Sequence, residues 1–168
     1  MLSKGEAIDL IRGSSKFSHL VLAAGLMKTL AARLGEDETE WELVGLLHDL
    51  DIDEVRSDMA QHGTVAAERL EGKLPQHCFY AIKSHDVRSG FQPISKLDKA
   101  LIAVDSMAVL VERCQEKPGA LKVDTVKAEL EQIAEKRPWH KANILKAGEL
   151  GLGVDEFMKL CLNSLSER

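Results

Sequence analysis

Aromatic side chains make up only 4% of this 168-residue chain, and its net charge is −5. A protein that tracks a nucleic-acid backbone offers a basic stripe, often with stacking rings. Neither is present, so no large nucleic acid is expected as a partner. A small anion stays open, because a bound metal can reverse the sign of a pocket locally. Cysteine is scarce as well: Cys78, Cys114 and Cys161 are far apart and form no C-x-x-C pair. That spacing builds neither a disulfide framework nor a zinc knuckle, and three buried free thiols in a reducing compartment are expected. No apolar run reaches the length of a membrane span. The opening MLSKGEAIDLIRG has acids among its apolar residues and lacks the plan of a signal peptide. No membrane partner is expected, and the cytoplasm is the default location. Alternating runs of β-branched residues are missing too, which removes the main signal for strands.

What is present reads as helix. With 45% hydrophobic and 29% charged residues the chain is globular, and its length suits one domain over residues 1–168 with a sizeable core. Apolar spacing and stop signals predict helices over 3–13, 15–34, 38–50, 62–72, 75–86, 95–116, 122–136, 139–150 and 153–166. Gly35 caps the second, Pro75 suits the first turn of the fifth, and Lys117-Pro118-Gly119 breaks the chain after the sixth. The acid-rich LGEDETEWE suits a helix N-cap and first turn, where acids favour the dipole. The fold class is therefore all-α, a compact helical bundle. The stretch ALIAVDSMAVLV, Ala100 to Val111, is apolar nearly all round and belongs at its centre. Asp105 lies in the middle of it, and a carboxylate there needs a cation or several donors.

Four of the six histidines continue apolar stripes. His19 leads Leu22, Ala23 and Leu26. His48 follows Val44 by four and adjoins Leu46-Leu47. His62 leads Val65, Ala66 and Leu70, and His85 closes the stripe of Cys78, Ala81 and Ile82. Any one of them has an ordinary explanation as a core imidazole bonded to a carbonyl, and the His48-Asp49 dipeptide is a weak signal alone. The constellation is stronger. Four inward imidazoles with inward Asp49 and Asp105 make six metal-competent groups on five helices. Such a set suits zinc, iron, manganese, cobalt or nickel, and a divalent cation would stabilise carboxylates buried beside leucines. His77 and His140 stand outside the pattern and read as peripheral. Trp41 and Trp139 read as packing residues rather than a base-stacking box.

A histidine, then His-Asp, then a distant aspartate, all on helices, resembles the HD-domain superfamily of metal-dependent phosphohydrolases. SHLVLAAGLMKTLAARLG is similar to its first-histidine helix, WELVGLLHDLD to its His-Asp helix and LDKALIAVDSMAVLV to the helix of its last aspartate. The likeness covers about residues 17–113, with 122–166 packing on that core. The tail ILKAGELGLGVDEFMKLCL and the form GLLHDLD resemble the small HDIG-type branch. The resemblance implies that His19, His48, Asp49 and Asp105 hold a first metal. His62 and His85 take the places of the extra histidines of two-metal members, with Asp49 bridging. It further implies hydrolysis of a small phosphate ester or nucleotide by a metal-activated water, with turnover depending on His48 and Asp49.

Departures narrow this. Cyclic-dinucleotide phosphodiesterases of the superfamily carry a lysine where Ile52 stands, which argues against that activity. Nucleotidase relatives often have an arginine just before the first histidine, where Phe17-Ser18 stand. Asp86 follows His85 where a third extra histidine occurs, and is open as a ligand, an acceptor for a ligand histidine or a solvated turn residue. Asp51 and Asp53 are candidate acceptors for ligand imidazoles, but the turn after the motif gives both a simpler place in solvent. Lys83, Arg88 and Arg56 are the candidate phosphate contacts. Arg69 and Arg113 read as solvated charges. Two other functions stay in view: a mixed-valence di-iron oxygenase of the HD type, and a non-catalytic metal-binding regulatory module. The oligomeric state leaves no trace in the sequence.

Overall fold

Helices form where apolar residues recur at intervals of three and four, and no strand occurs among the described residues. The structure is a computed structural model that describes residues 1–117, 119 and 121–166. Its helices are α1 (Lys4–Ile11), α2 (Phe17–Leu34), α3 (Glu38–Leu47), α4 (Thr64–Arg69), α5 (Gln76–Ser84), α6 (Lys96–Gln115), α7 (Val123–Ala134), α8 (Trp139–Leu145) and α9 (Val154–Ser166). Short 3-10 turns occupy Met59–Gln61, Val87–Ser89 and Lys146–Leu150. The expected all-α class holds. Pro118, part of the break placed after the sixth helix, lies outside the described residues; α6 ends just before it at Gln115.

The caps explain several boundaries. Ser3 and Glu6 form a capping box on α1, and Ser95 and Asp98 form another on α6. Asp37 accepts from the Glu40 backbone N–H at the start of α3, as the acid-rich stretch suggests. Gly35 ends α2 at a φ of 70°, with its N–H donating to the Ala31 carbonyl.

α6 is the hub. It packs against α2, α5, α7 and α8, and Leu101, Val104, Met107, Ala108 and Val111 along it are fully buried. α2 is long and apolar enough, by length and composition alone, to cross a membrane, contrary to the reading of the sequence. Here it lies against α3 and α6, with His19, Leu20, Ala23, Leu26, Met27 and Leu30 buried. α2 and α3 come close because Gly45 has no side chain. A Cβ there would lie 2.7 Å from the Ala24 Cα. Cys78, Cys114 and Cys161 are free and buried, as expected. Trp41 is buried, but Trp139 is 51% exposed, which corrects its reading as a packing residue. Trp139 opens the first turn of α8 facing out, and the next residue, His140, turns inward instead.

Candidate metal centre

The helix ends build the site. His48 and Asp49 lie just past α3 rather than inside a longer helix, because the chain there tightens into i-to-i+3 turns: Leu50 N–H donates to Leu47 O, and Ile52 N–H to Asp49 O. His62 likewise sits before α4, at the junction of a 3-10 turn and Gly63. Gly63 has a φ of 76°, and a Cβ on it would lie 2.5 Å from the Ile82 carbonyl oxygen. His85 caps the C-terminus of α5, while His19 and Asp105 project from α2 and α6.

Each of the four imidazoles is fixed through Nδ1. His48 Nδ1 donates to the Gly45 carbonyl at 2.9 Å, and His85 Nδ1 to the Ile82 carbonyl at 2.6 Å, the same three-residue reach in both. His62 Nδ1 is 2.8 Å from Asp51 Oδ1, and His19 Nδ1 is 3.1 Å from Glu112 Oε2. With Nδ1 as donor, Nε2 faces inward and is the atom left able to coordinate. There the carboxylates meet them. Asp49 Oδ1 lies 3.0 Å from His62 Nε2, 3.3 Å from His85 Nε2 and 3.5 Å from His48 Nε2. Asp105 Oδ1 lies 3.0 Å from His19 Nε2 and 3.7 Å from His48 Nε2. All six side chains named from the sequence are thus brought together. Two overlapping groups, His19–His48–Asp105 and His48–Asp49–His85, each keep their donor atoms within 4.8 Å of one another. His62 Nε2 adjoins the second group at 3.1 Å from His85 Nε2.

Burial opposes protonation of His19 and His62, but the carboxylates facing each outweigh it and lift both imidazoles to about 10. Burial also opposes the charges of Asp49 and Asp105, yet the surrounding histidines hold both well below the usual carboxylate range. Protons therefore stand where a cation could: between acids and imidazoles, in the interior.

The acceptors around this cage were the harder part to foresee. Asp51 is fully buried, not solvated: besides His62 it accepts the Gly63 and Ala66 backbone N–H groups at 2.8 and 3.0 Å. Asp53 does lie outside, accepting from the Ser15 backbone N–H and hydroxyl and from Arg56. Glu112 had no sequence signal beyond its position seven residues after Asp105, on the same helix face. His140 is buried rather than peripheral, with Nδ1 3.0 Å from the Ser106 hydroxyl, but it stays outside the cage. His77 is exposed and pairs with Glu40.

The candidate phosphate contacts are scattered. Asp86 caps the Val87–Ser89 turn and holds Arg88 through its Nε and Nη2, so of the three readings the turn residue is nearest, with Arg88 rather than solvent as its partner. Arg88 remains near enough to Asp49 to feel its charge. Lys83 extends over the Phe91 ring, 5.6 Å from its centre. Arg56 bonds Ser15 and Asp53. Arg69 and Arg113 are paired, with Glu54 and with buried Glu129. An open cavity of about 520 Å³ borders the cage on the His19 side, lined also by Ser15, Lys16, Ser18, Glu112, Gln115 and Glu116.

His48 Nε2 is the orphan of the cage: it is buried and has no hydrogen-bond partner among the described residues. Buried polar atoms are rarely left so. Imidazole and carboxylate donors around it fit a divalent transition metal. The family model of the HD domain matches residues 17–110, more than half of the chain. No curated protein and no solved structure matches the chain significantly. The matched stretch contains His19, the His48-Asp49 pair and Asp105 at its ordered places, and it follows that this chain belongs to the HD-domain superfamily of metal-dependent phosphohydrolases.

Proposed function

We propose that the chain hydrolyses a small phosphate ester or nucleotide with divalent metals held by His19, His48, Asp49, His62, His85 and Asp105. The observation that carries this reading is the convergence of four Nε2 atoms on two carboxylates while every Nδ1 is engaged elsewhere. The two overlapping donor groups, with His62 beside them, support two ions rather than one. A bound pair of divalent ions supplies positive charge to phosphoryl oxygens and lowers the pKa of water to about 7.

The chain's own residues supply position and access. Gly45 O, Ile82 O, Asp51 and Glu112 keep the imidazoles aimed inward, so little reorganisation accompanies binding. Asp105 is the most open of the cage acids, with 27% of its side chain exposed, and it marks the mouth. Lys16, lining the neighbouring cavity, and Arg88, held by Asp86 and within the field of Asp49, are the cations placed to meet a phosphate at its edge. Lys83 and Arg56 are occupied elsewhere and contribute less. The substrate proposed is small, and the cytoplasm is the setting proposed for it.

The test is a phosphatase and phosphodiesterase screen on metal-free protein reloaded in turn with manganese, cobalt, nickel, iron and zinc. Hydrolysis that appears with metal and vanishes in Asp49→Ala supports the reading. Dioxygen consumption with iron, and no hydrolysis with any metal, would overturn it in favour of the oxygenase. Metal-dependent stabilisation without turnover of any kind would leave a regulatory module.

A further inference from the structure

α3 and α5 pack against each other with the metal centre at their carboxyl ends. At their amino ends a different cluster forms. Glu40 precedes His48 by eight residues on the α3 side, and Cys78 precedes His85 by seven on the α5 side. At 1.5 Å per residue the two clusters are about 10–12 Å apart along the helices.

One donor atom from each of Glu40, His77 and Cys78 lies within 4.8 Å of the other two. His77 Nε2 and Glu40 Oε2 are 2.8 Å apart. Cys78 is fully buried, and its thiol reaches into this group without a hydrogen bond among the described residues. Burial and the Glu40 and Asp37 carboxylates push the thiol up to about 12. No lysine or arginine pairs with Glu40 among the described residues; its partner is His77. His77, 56% exposed, gives an ion a way in from solvent.

We propose that Glu40, His77 and Cys78 form a second metal site, separate from the buried centre, for a borderline-soft dication such as zinc. Sulfur, nitrogen and oxygen donors together select for that class, whereas the centre offers nitrogen and oxygen alone. Binding forms a sulfur–metal bond, breaks the Cys78 sulfur–hydrogen bond and releases one proton to solvent. Water completes the coordination. The ion ties α3 to α5 at the end opposite His48 and His85. This inference stands independently of the hydrolase reading.

Cobalt(II) titrated into metal-free protein is the probe. A thiolate-to-cobalt charge-transfer band in the near ultraviolet can arise only from a cysteine, so it reports this cluster and not the centre. The expected band reaches the intensity of one thiolate-bound cobalt per chain once the centre is also filled, disappears in Cys78→Ser, weakens at least tenfold in apparent affinity in His77→Ala, and persists in Cys114→Ser. His77→Ala changes an exposed residue, so its effect is not a folding defect. Absence of the band in the unaltered protein at saturating cobalt overturns the proposal. So does a band that survives in Cys78→Ser.

Discussion

Gly45 O and Ile82 O each accept a hydrogen bond from Nδ1 of the histidine three residues on, while Asp51 and Glu112 serve His62 and His19. These four contacts decide which nitrogen faces the interior. Replacing His48 or Asp49 with alanine is therefore expected to lose metal and activity together, and elemental analysis of the dialysed variants checks it. His77→Ala leaves the centre's share of metal in place, because that imidazole faces Glu40 instead. Asp51→Ala tests the supporting contacts. It strands the Gly63 and Ala66 N–H groups and frees the His62 ring. Each unsatisfied buried donor costs about 1–3 kcal/mol, and loss of such a support weakens metal affinity about 10–100-fold. Denaturant melts and metal titration of the variant measure the two effects separately. The six cage residues were legible because the four histidines continue apolar stripes while Asp49 and Asp105 break apolar runs. Asp51 was not, for it sits in the charged run DLDIDE and finds its partner eleven residues away, across a turn that no local pattern specifies.

Among the helices, the close approach of α2 and α3 positions His19 against His48. Gly45 allows it. The methyl of Gly45→Ala would meet backbone atoms, the Ala24 Cα at 2.7 Å and the Ala24 N at 2.9 Å, and backbone cannot rotate away. Despite the better helix propensity of alanine, the substitution is expected to destabilise the protein by about 1–3 kcal/mol. It also weakens metal binding, since the His48 ring rests on the Gly45 carbonyl. Chemical denaturation of the variant, with and without manganese, checks both. The helices themselves were readable from spacing, capping serines and Gly35. Their ends near the site were not: His48 and His62 fall outside α3 and α4, where turns rather than helical hydrogen bonds aim them. The apolar stripes persisted past the helices because the burial did.

For the molecule as a whole, the cage links stability to pH. His19 and His62 have folded values of about 10, raised from an ordinary 6.5. Groups raised on folding contribute stability that is complete below the unfolded value and disappears as pH climbs through the folded one. Metal-free protein is therefore expected to lose stability from about pH 6 to about pH 10. Metal affinity runs the other way, rising over the same window as protons stop competing for Nε2. Thermal melts across this range, with and without manganese, show a falling curve for the metal-free protein and a widening gap between the two. Equal melting curves at both ends of the range would contradict the protonation of the cage. Around that cage α6 joins α2, α5, α7 and α8, and α9 packs on α2 and α7, so the motif-bearing core and the C-terminal helices share one apolar interior.

Anomalous diffraction from crystals grown with manganese, a hard ion indifferent to the Cys78 thiol, tests the centre most directly. The expected map has peaks among His19, His48, Asp49, His62, His85 and Asp105, with their Nε2 and carboxylate oxygens as ligands. A map with no peak there, in protein whose six side chains remain gathered, would contradict the metal centre and the hydrolase reading built on it.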